Sequence, residues 1–165
     1  MSGPMILFSP EDQRHLKAAE GWCGLNAFLE ANNELEEITP QARAHPKVLE
    51  IRWQIYANLK KWDVALEIAK ALQKLAPKNP KSSINLGINL QSLNRNIEAY
   101  NILFSASKEF PKNGEITYQL ACVCCKLQRI PEAEIWLKKA IDLGGKEIKL
   151  RALDNDDLDS IWNTH

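Results

Sequence analysis

The chain has 165 residues, of which 45% are hydrophobic and 25% are charged, a balance typical of a globular rather than a disordered protein. It carries 21 basic and 21 acidic residues, so its net charge is zero. A general nucleic-acid binder needs a basic excess to neutralise phosphates, so we expect no nucleic-acid partner. The length suits one domain with a substantial core, and we predict a single domain over residues 1–165.

The cysteines and the apolar runs indicate the cellular setting. Cys122, Cys124 and Cys125 lie within four residues, which does not fit an intrachain disulfide framework and favours a reduced, cytoplasmic protein. The apolar run 5–8 is too short for a signal core, and no run is long enough to span a bilayer, so we expect no membrane insertion. Residues 1–4, MSGP, fit either a native start or residues added ahead of Met5.

Apolar periodicity and capping residues predict eight helices in chain order. Ser9 is placed to cap the first helix, with Pro10 at its first position. We predict helices over residues 10–25, 27–39, 46–59, 62–76, 80–93, 96–110, 114–127 and 131–143. The tail after Gly145 is predicted to form one or two short helices that cover the last apolar face.

The helices come in pairs that repeat every 34 residues. One column of this period contains Ala31, Ala65, Ala99 and Ala133. A second column contains Ala19, Trp53, Gly87 and Ala121. Small residues at matching places of paired helices allow close approach, and a period of this length is typical of a helical repeat protein. The repeats are predicted over 12–45, 46–79, 80–113 and 114–147, with a C-terminal cap over 148–165.

The third repeat contains LGINLQSLNRNIEAYNILFSASKEFP, in which a Leu-Gly pair is followed by Ala99, Ala106 and Pro111. These residues resemble the tetratricopeptide-repeat family, and LACVCCKLQRIPEAEIWLKKAIDLG repeats the pattern with Gly145 in place of the closing proline. The whole chain resembles small stand-alone bacterial members. The resemblance implies an all-α, right-handed superhelical solenoid of about four helix pairs with a C-terminal capping helix. It also implies a non-enzymatic protein that holds a partner segment on the concave surface formed by the first helices.

The resemblance also implies which residues line that surface. They are mostly uncharged hydrogen-bonding residues, which suit an extended backbone, together with a few apolar ones. The peptide-binding residues carried over in this way are Lys47, Glu50, Gln54, Asn58, Lys81, Ile84, Asn85, Ile88, Gln91, Tyr118, Gln119, Cys122 and Lys126. Glu115 lies on the same predicted face, and Tyr118 adds contact area and a hydroxyl group.

The cysteine cluster allows two interpretations. Cys124 falls in the packing column of Trp22, Tyr56 and Leu90, and free cysteine behaves as a small buried hydrophobe. A zinc site needs about four ligands, and a redox Cys-x-x-Cys pair usually lies at a helix N-terminus, whereas this pair lies past the middle of its helix. We therefore predict that the cysteines form part of the helix wall. A metal or redox site stays as the alternative.

The sequence thus predicts a binding module with no catalytic residues, no metal and no cofactor, whose partner is a protein or peptide. Two alternatives stay open. The repeats could build a self-associating homo-oligomeric scaffold, because the middle of the chain is basic and its ends are acidic. The groove could instead serve as a client-specific chaperone or adaptor. Most of the five tryptophans, with Trp22 and Trp53 among them, are expected to pack in the core rather than form a ligand cage.

Overall fold

A computed structural model describes residues 7–163, and every regular element in that part of the chain is helical. Questions about residues 1–4 and a start at Met5 lie outside the described residues. The chain divides into two compact units, with unit 1 ending at Ala76 and unit 2 beginning at Pro77. The arrangement of both units as a single domain remains a prediction.

Unit 1 contains two helix pairs. Its helices are α1 (Pro10–Gly24), α2 (Phe28–Glu36), α3 (Pro46–Asn58) and α4 (Trp62–Leu75), with a 3-10 turn at Ala42–Ala44. The Ser9 hydroxyl oxygen accepts a hydrogen bond from the Asp12 amide at 3.0 Å, and Pro10 takes the first helical position. The cap read from the sequence is therefore confirmed.

Helix α2 ends three residues earlier than predicted because the chain turns to meet a buried carboxylate. The amide of Thr39 donates to Asp12 Oδ1 at 2.9 Å, and the Thr39 hydroxyl donates to Asp12 Oδ2 at 2.8 Å. Pro40 follows, and the residue before a proline is disfavoured in helical conformation. The two bonds tie the start of α1 to the loop that leaves α2.

Unit 2 contains the other two pairs and the C-terminal cap. Its helices are α5 (Pro80–Ser92), α6 (Asn96–Glu109), α7 (Gly114–Lys126), α8 (Ile130–Leu153) and α9 (Asp159–Trp162), with a 3-10 turn at Asp156–Leu158. Helix α8 is longer than predicted because helical backbone resumes after a kink at Gly145 (φ 65°, ψ −145°). Only glycine adopts such backbone angles readily, so the predicted closing helix is joined to the last repeat through this residue.

Small residues set the distance between paired helices. Ala31, Ala65, Ala99 and Ala133, which repeat every 34 residues, have no exposed surface. In unit 2, a Cβ atom added to Gly87 of α5 would lie only 2.7 Å from side-chain atoms of Leu103 on α6. The helices therefore pack so closely at this point that any side chain larger than that of glycine would force Leu103 to shift.

The turns inside the pairs also follow the repeat. Asn26, Lys60, Asn94 and Gln128 have positive φ angles of 57° to 61° and are spaced 34 residues apart. Each reverses the chain between the two helices of a pair. The turn therefore requires a left-handed backbone conformation at this position, and asparagine, lysine and glutamine all adopt it here.

The tryptophans are less buried than expected. Trp22 is 38% exposed and Trp162 is 40% exposed, and the other three are half-buried. The expectation of core packing is wrong for Trp22, whose indole instead hydrogen-bonds Glu34 of α2. The indole N–H group of a tryptophan needs a hydrogen-bond acceptor, and the half-buried Glu34 carboxylate at the surface provides one for Trp22.

We expect Gly87→Ala to lower the free energy of unfolding by about 1–3 kcal/mol, because the added methyl group must displace buried Leu103. Gly21→Ala in α1 is the matched control, since no atom lies within 4 Å of its added Cβ. Alanine favours helix over glycine, so this variant should gain up to about 1 kcal/mol. Urea unfolding of both variants measures the difference, and equal stabilities would contradict the close approach.

We expect Asp12 to make unit 1 sensitive to acid. The Thr39 amide, followed by the Thr39 hydroxyl, lowers the pKa of Asp12 against the opposing effect of burial. The stabilisation is therefore complete above the unfolded pKa of about 4 and is lost as the pH falls through the folded pKa. Urea midpoints between pH 7 and 3 should fall less steeply in Asp12→Asn, which should also be less stable at pH 7. Removal of the exposed neighbour in Glu11→Gln should change the midpoints little.

Candidate functional site

In unit 1, the predicted groove residues share one face of α3. Lys47, Glu50, Gln54 and Asn58 are spaced by three or four residues, so they lie along one side of the helix. Three of them are exposed, and Glu50 is half-buried. The Asn58 side-chain amide donates a hydrogen bond to the Gln54 backbone carbonyl oxygen at 2.7 Å. The Asn58 side chain therefore lies along α3.

In unit 2, the predicted residues lie on α5 and α7, the first helices of the third and fourth repeats. On α5, Lys81 is exposed, Asn85 and Ile88 are half-buried, and Ile84 and Gln91 are buried. Helix α7 contributes the other four: Tyr118, Gln119, Cys122 and Lys126. The two helices contact each other, so their rows form adjoining parts of one surface.

A pocket of about 200 Å³ lies between these rows. It brings together five of the predicted peptide-binding residues, Ser92 of the same predicted face, and two residues, Asn155 and Asp157, that were not predicted to bind. The lining residues are Ile88, Gln91, Ser92, Gln119, Cys122, Lys126, Asn155 and Asp157. Except for Ile88 and Cys122, they offer amide, hydroxyl, ammonium or carboxylate groups, so the pocket suits a polar ligand with a small apolar contact.

A chain of hydrogen bonds runs across this surface. Gln91 Nε2 donates to Gln119 Oε1 at 3.1 Å, and Gln119 Nε2 donates to Glu115 Oε1 at 3.1 Å. Glu115 also accepts two bonds from Arg151, from Nη1 at 2.6 Å and from Nη2 at 3.0 Å. The inner faces of the third and fourth repeats are thereby joined to the C-terminal segment.

The C-terminal segment covers the inner face of the fourth repeat. Asn155 Nδ2 donates to the Tyr118 hydroxyl oxygen at 2.8 Å and approaches Cys122 Sγ at 3.5 Å. Lys126 Nζ lies 3.5 Å from an Asp157 carboxylate oxygen. Tyr118 is consequently only 3% exposed, so it is not the open contact surface that its position in the repeat implied.

The electrostatics follow from this cover. Burial alone would raise the pKa of Glu115, but the hydrogen bonds from Arg151 and Gln119 lower it below its ordinary value. The same pair raises the pKa of Arg151. Burial raises the pKa of Tyr118 against the opposing hydrogen bond from Asn155. At neutral pH the face therefore holds an ionised Glu115–Arg151 pair beside a neutral phenol.

The cysteines form part of the helix wall, as predicted. Cys122, Cys124 and Cys125 belong to the buried core of unit 2, in contact with residues of α8 and the cap. Burial raises the pKa of Cys122 and Cys124 to about 12 and that of Cys125 to about 11. The thiolate is the reactive and metal-binding form, so these thiols are poor nucleophiles at neutral pH.

Metal-ligating side chains are scattered over the described part of the chain. Within residues 7–163, no three or more His, Cys, Asp or Glu side chains are grouped so that they could hold a metal ion. No helix in the same range combines the length and apolar character needed to cross a membrane.

Sequence reasoning missed Arg151, Asn155 and Asp157, because the tail does not keep the 34-residue register that identified the other groove residues. A weaker signal was present. Ile148 and Ala152 are four residues apart and mark the buried side of the last helical segment. Arg151 lies next to that side, so helical spacing would have placed it at the edge of the covered face.

Comparisons with known proteins identify the fold. The chain has a TM-score of 0.76 and 20% identity to TTC0263, a thermophilic TPR protein of Thermus thermophilus, covering 92% of this chain and 81% of that one. For MamA of Desulfovibrio magneticus RS-1, the TM-score is 0.72 at 17% identity, with 94% and 92% covered. YrrB, described as a TPR protein with an unusual peptide-binding site, matches with a TM-score of 0.69 at 16% identity, over 87% and 75%. No protein-family model matches the sequence, and no curated protein is significantly similar to it. The chain therefore has the tetratricopeptide-repeat fold, as its sequence pattern predicted.

We expect the four buried thiols to react slowly. At pH 7.5, iodoacetamide should modify Cys122 and Cys124 in the folded chain at least on the order of a hundredfold more slowly than in the urea-unfolded chain, because burial suppresses the thiolate. Site-resolved mass spectrometry measures each rate. Rapid, selective modification of Cys122 or Cys125 in the folded protein would revive the redox interpretation.

Proposed function

We propose that this chain, which has the tetratricopeptide-repeat fold, is a non-enzymatic interaction module. It binds an extended polypeptide segment on the inner faces of its first helices. The principal contact is the pocket between α5 and α7. The four unpaired cysteines suit a cytoplasmic protein that works in a reducing environment.

The lining of the pocket is the observation that carries this proposal. Gln91, Ser92, Gln119 and Lys126 come from successive first helices and place donors and acceptors along a path next to apolar Ile88. An extended backbone offers alternating N–H and C=O groups, which side-chain amides can match in both senses. YrrB, a structurally similar protein, is described as having a peptide-binding site, which is consistent with this use of the fold.

The C-terminal segment contributes one wall of the proposed site. Asn155 and Asp157 line the pocket and contact residues of α7. Leu158 and Ile161 of the same segment are buried in the core, which fixes the wall in place. A bound segment would therefore contact α5 and α7 on one side and the cap on the other.

We expect Ser92→Arg to reduce partner binding at least tenfold, because the longer cationic side chain fills the pocket. Asn101→Arg on α6 is the matched control, since it makes the same change at an exposed position outside the lining. In a second experiment, a photo-crosslinking amino acid replaces Ser92 in one chain and Asn101 in another, and each chain is used to identify bound proteins in cell extract. Cross-links to a partner segment from Ser92, and none from Asn101, are the expected result.

Two outcomes would contradict the proposal. Equal cross-linking from both positions would move the function away from the groove. Cross-links to a second copy of this chain alone would favour the self-associating scaffold. Light scattering at two salt concentrations would then report whether that assembly depends on charge, since exposed charges are screened at high salt.

A further inference from the structure

The guanidinium of Arg151 occupies a built-in cation site on the inner face of α7. It makes two parallel hydrogen bonds to the Glu115 carboxylate, at 2.6 Å and 3.0 Å. Its central carbon also lies 4.6 Å from the centre of the Tyr118 ring. A carboxylate fork beside an aromatic face provides the two contacts that a guanidinium prefers.

The site does not depend on Arg151 for its shape. Gln119 Nε2 holds the Glu115 carboxylate at 3.1 Å, and Gln91 holds Gln119 in turn. The Tyr118 hydroxyl is held by Asn155. We therefore expect the Glu115 carboxylate and the Tyr118 ring to keep their positions when the Arg151 side chain moves away.

Arg151 is also free to move without unfolding the cap. Its side chain is 43% exposed, and that of Glu115 is 30% exposed, so solvent reaches the pair. The cap is anchored separately by Ile148, Ala152, Leu158 and Ile161, all of which are buried in the core. Solvent can replace part of the hydrogen bonding that the pair loses as Arg151 leaves, and an incoming arginine restores both bonds to Glu115, so exchange of one arginine for another is feasible.

We propose that Glu115 and Tyr118 form an arginine-binding subsite, which Arg151 fills in the unbound chain and which an arginine of the partner segment takes over on binding. The inference rests on the proposed function, because Gln119 both lines the pocket and contacts Glu115. A segment lying in the pocket would reach the subsite with one long side chain. Lysine fits less well, since a single ammonium group does not match both carboxylate oxygens in a fixed plane.

The test uses the full chain with Arg151→Ala and the probe N-acetyl-arginine amide, titrated by calorimetry and by two-dimensional NMR. The vacated chain should bind the probe on the order of tenfold more tightly than wild type, in which the tethered Arg151 competes at a high effective concentration. Chemical-shift changes should centre on Glu115, Tyr118 and Gln119. N-acetyl-citrulline amide, which has a similar shape and no charge, should bind at least tenfold more weakly.

The control variant is Glu115→Gln in the Arg151→Ala chain, which removes the carboxylate charge and should abolish binding of the probe. If the alanine variant loses helical circular dichroism, Arg151→Lys replaces it, since the lysine fills the subsite less well than arginine, and this chain should bind the probe with an intermediate affinity. Equal binding of the probe by wild type and vacated chains, equal binding of citrulline, or retained binding without the Glu115 charge would each overturn the subsite. The probe is a single residue, so its failure is separate from a failure of cross-linking at Ser92, which reports on the groove.

Discussion

The close approach of paired helices is the constraint on which the rest of this structure depends. A pair of short helices buries too little surface to be stable alone, so each pair must pack tightly within itself and against its neighbour. The fully buried alanines and the Gly87–Leu103 contact show where this happens. Because the second helices are held so near, the first helices are free to present amide and charged side chains on their other face. The candidate site is therefore a by-product of how the repeats pack.

Sequence reasoning succeeded where a residue's role is repeated. The columns through Ala99 and Gly87 predicted the helix pairs, and the Ser9-Pro10 cap predicted the start of the first helix. The resemblance to tetratricopeptide repeats, carried over in the same register, led to Gln91, Gln119 and Lys126, which line the pocket. The helix pairs and the groove residues follow from spacings of 3, 4 or 34 residues, which packing enforces, and the cap follows from the local chemistry of Ser9 and Pro10.

Sequence reasoning failed where a contact occurs only once in the chain and does not follow the repeat. Thr39 ends α2 early because of a contact with Asp12, a residue 27 positions away. Tyr118 belongs to the inner face by its spacing, yet Asn155 covers it from 37 positions away. Local pattern and repeat period contain no information about such pairings. The cap was predicted to exist because the last apolar face must be covered, but its polar side, which contacts the proposed site, follows from tertiary contacts alone.

The hydrogen-bonded row from Gln91 to Arg151 also has a direction. An ionised carboxylate accepts hydrogen bonds and donates none, so Glu115 requires Gln119 to present its N–H group. The Gln119 side-chain oxygen then faces Gln91, whose side-chain N–H group donates a hydrogen bond to it. Each amide in the row is therefore oriented by the charge of Glu115, and the polar atom of Gln91 that does not face Gln119 is its oxygen, Oε1. In the proposed site, a bound segment at the third repeat would therefore meet an amide oxygen whose orientation depends on Glu115 in the fourth repeat, and it would need an N–H group to pair with that oxygen.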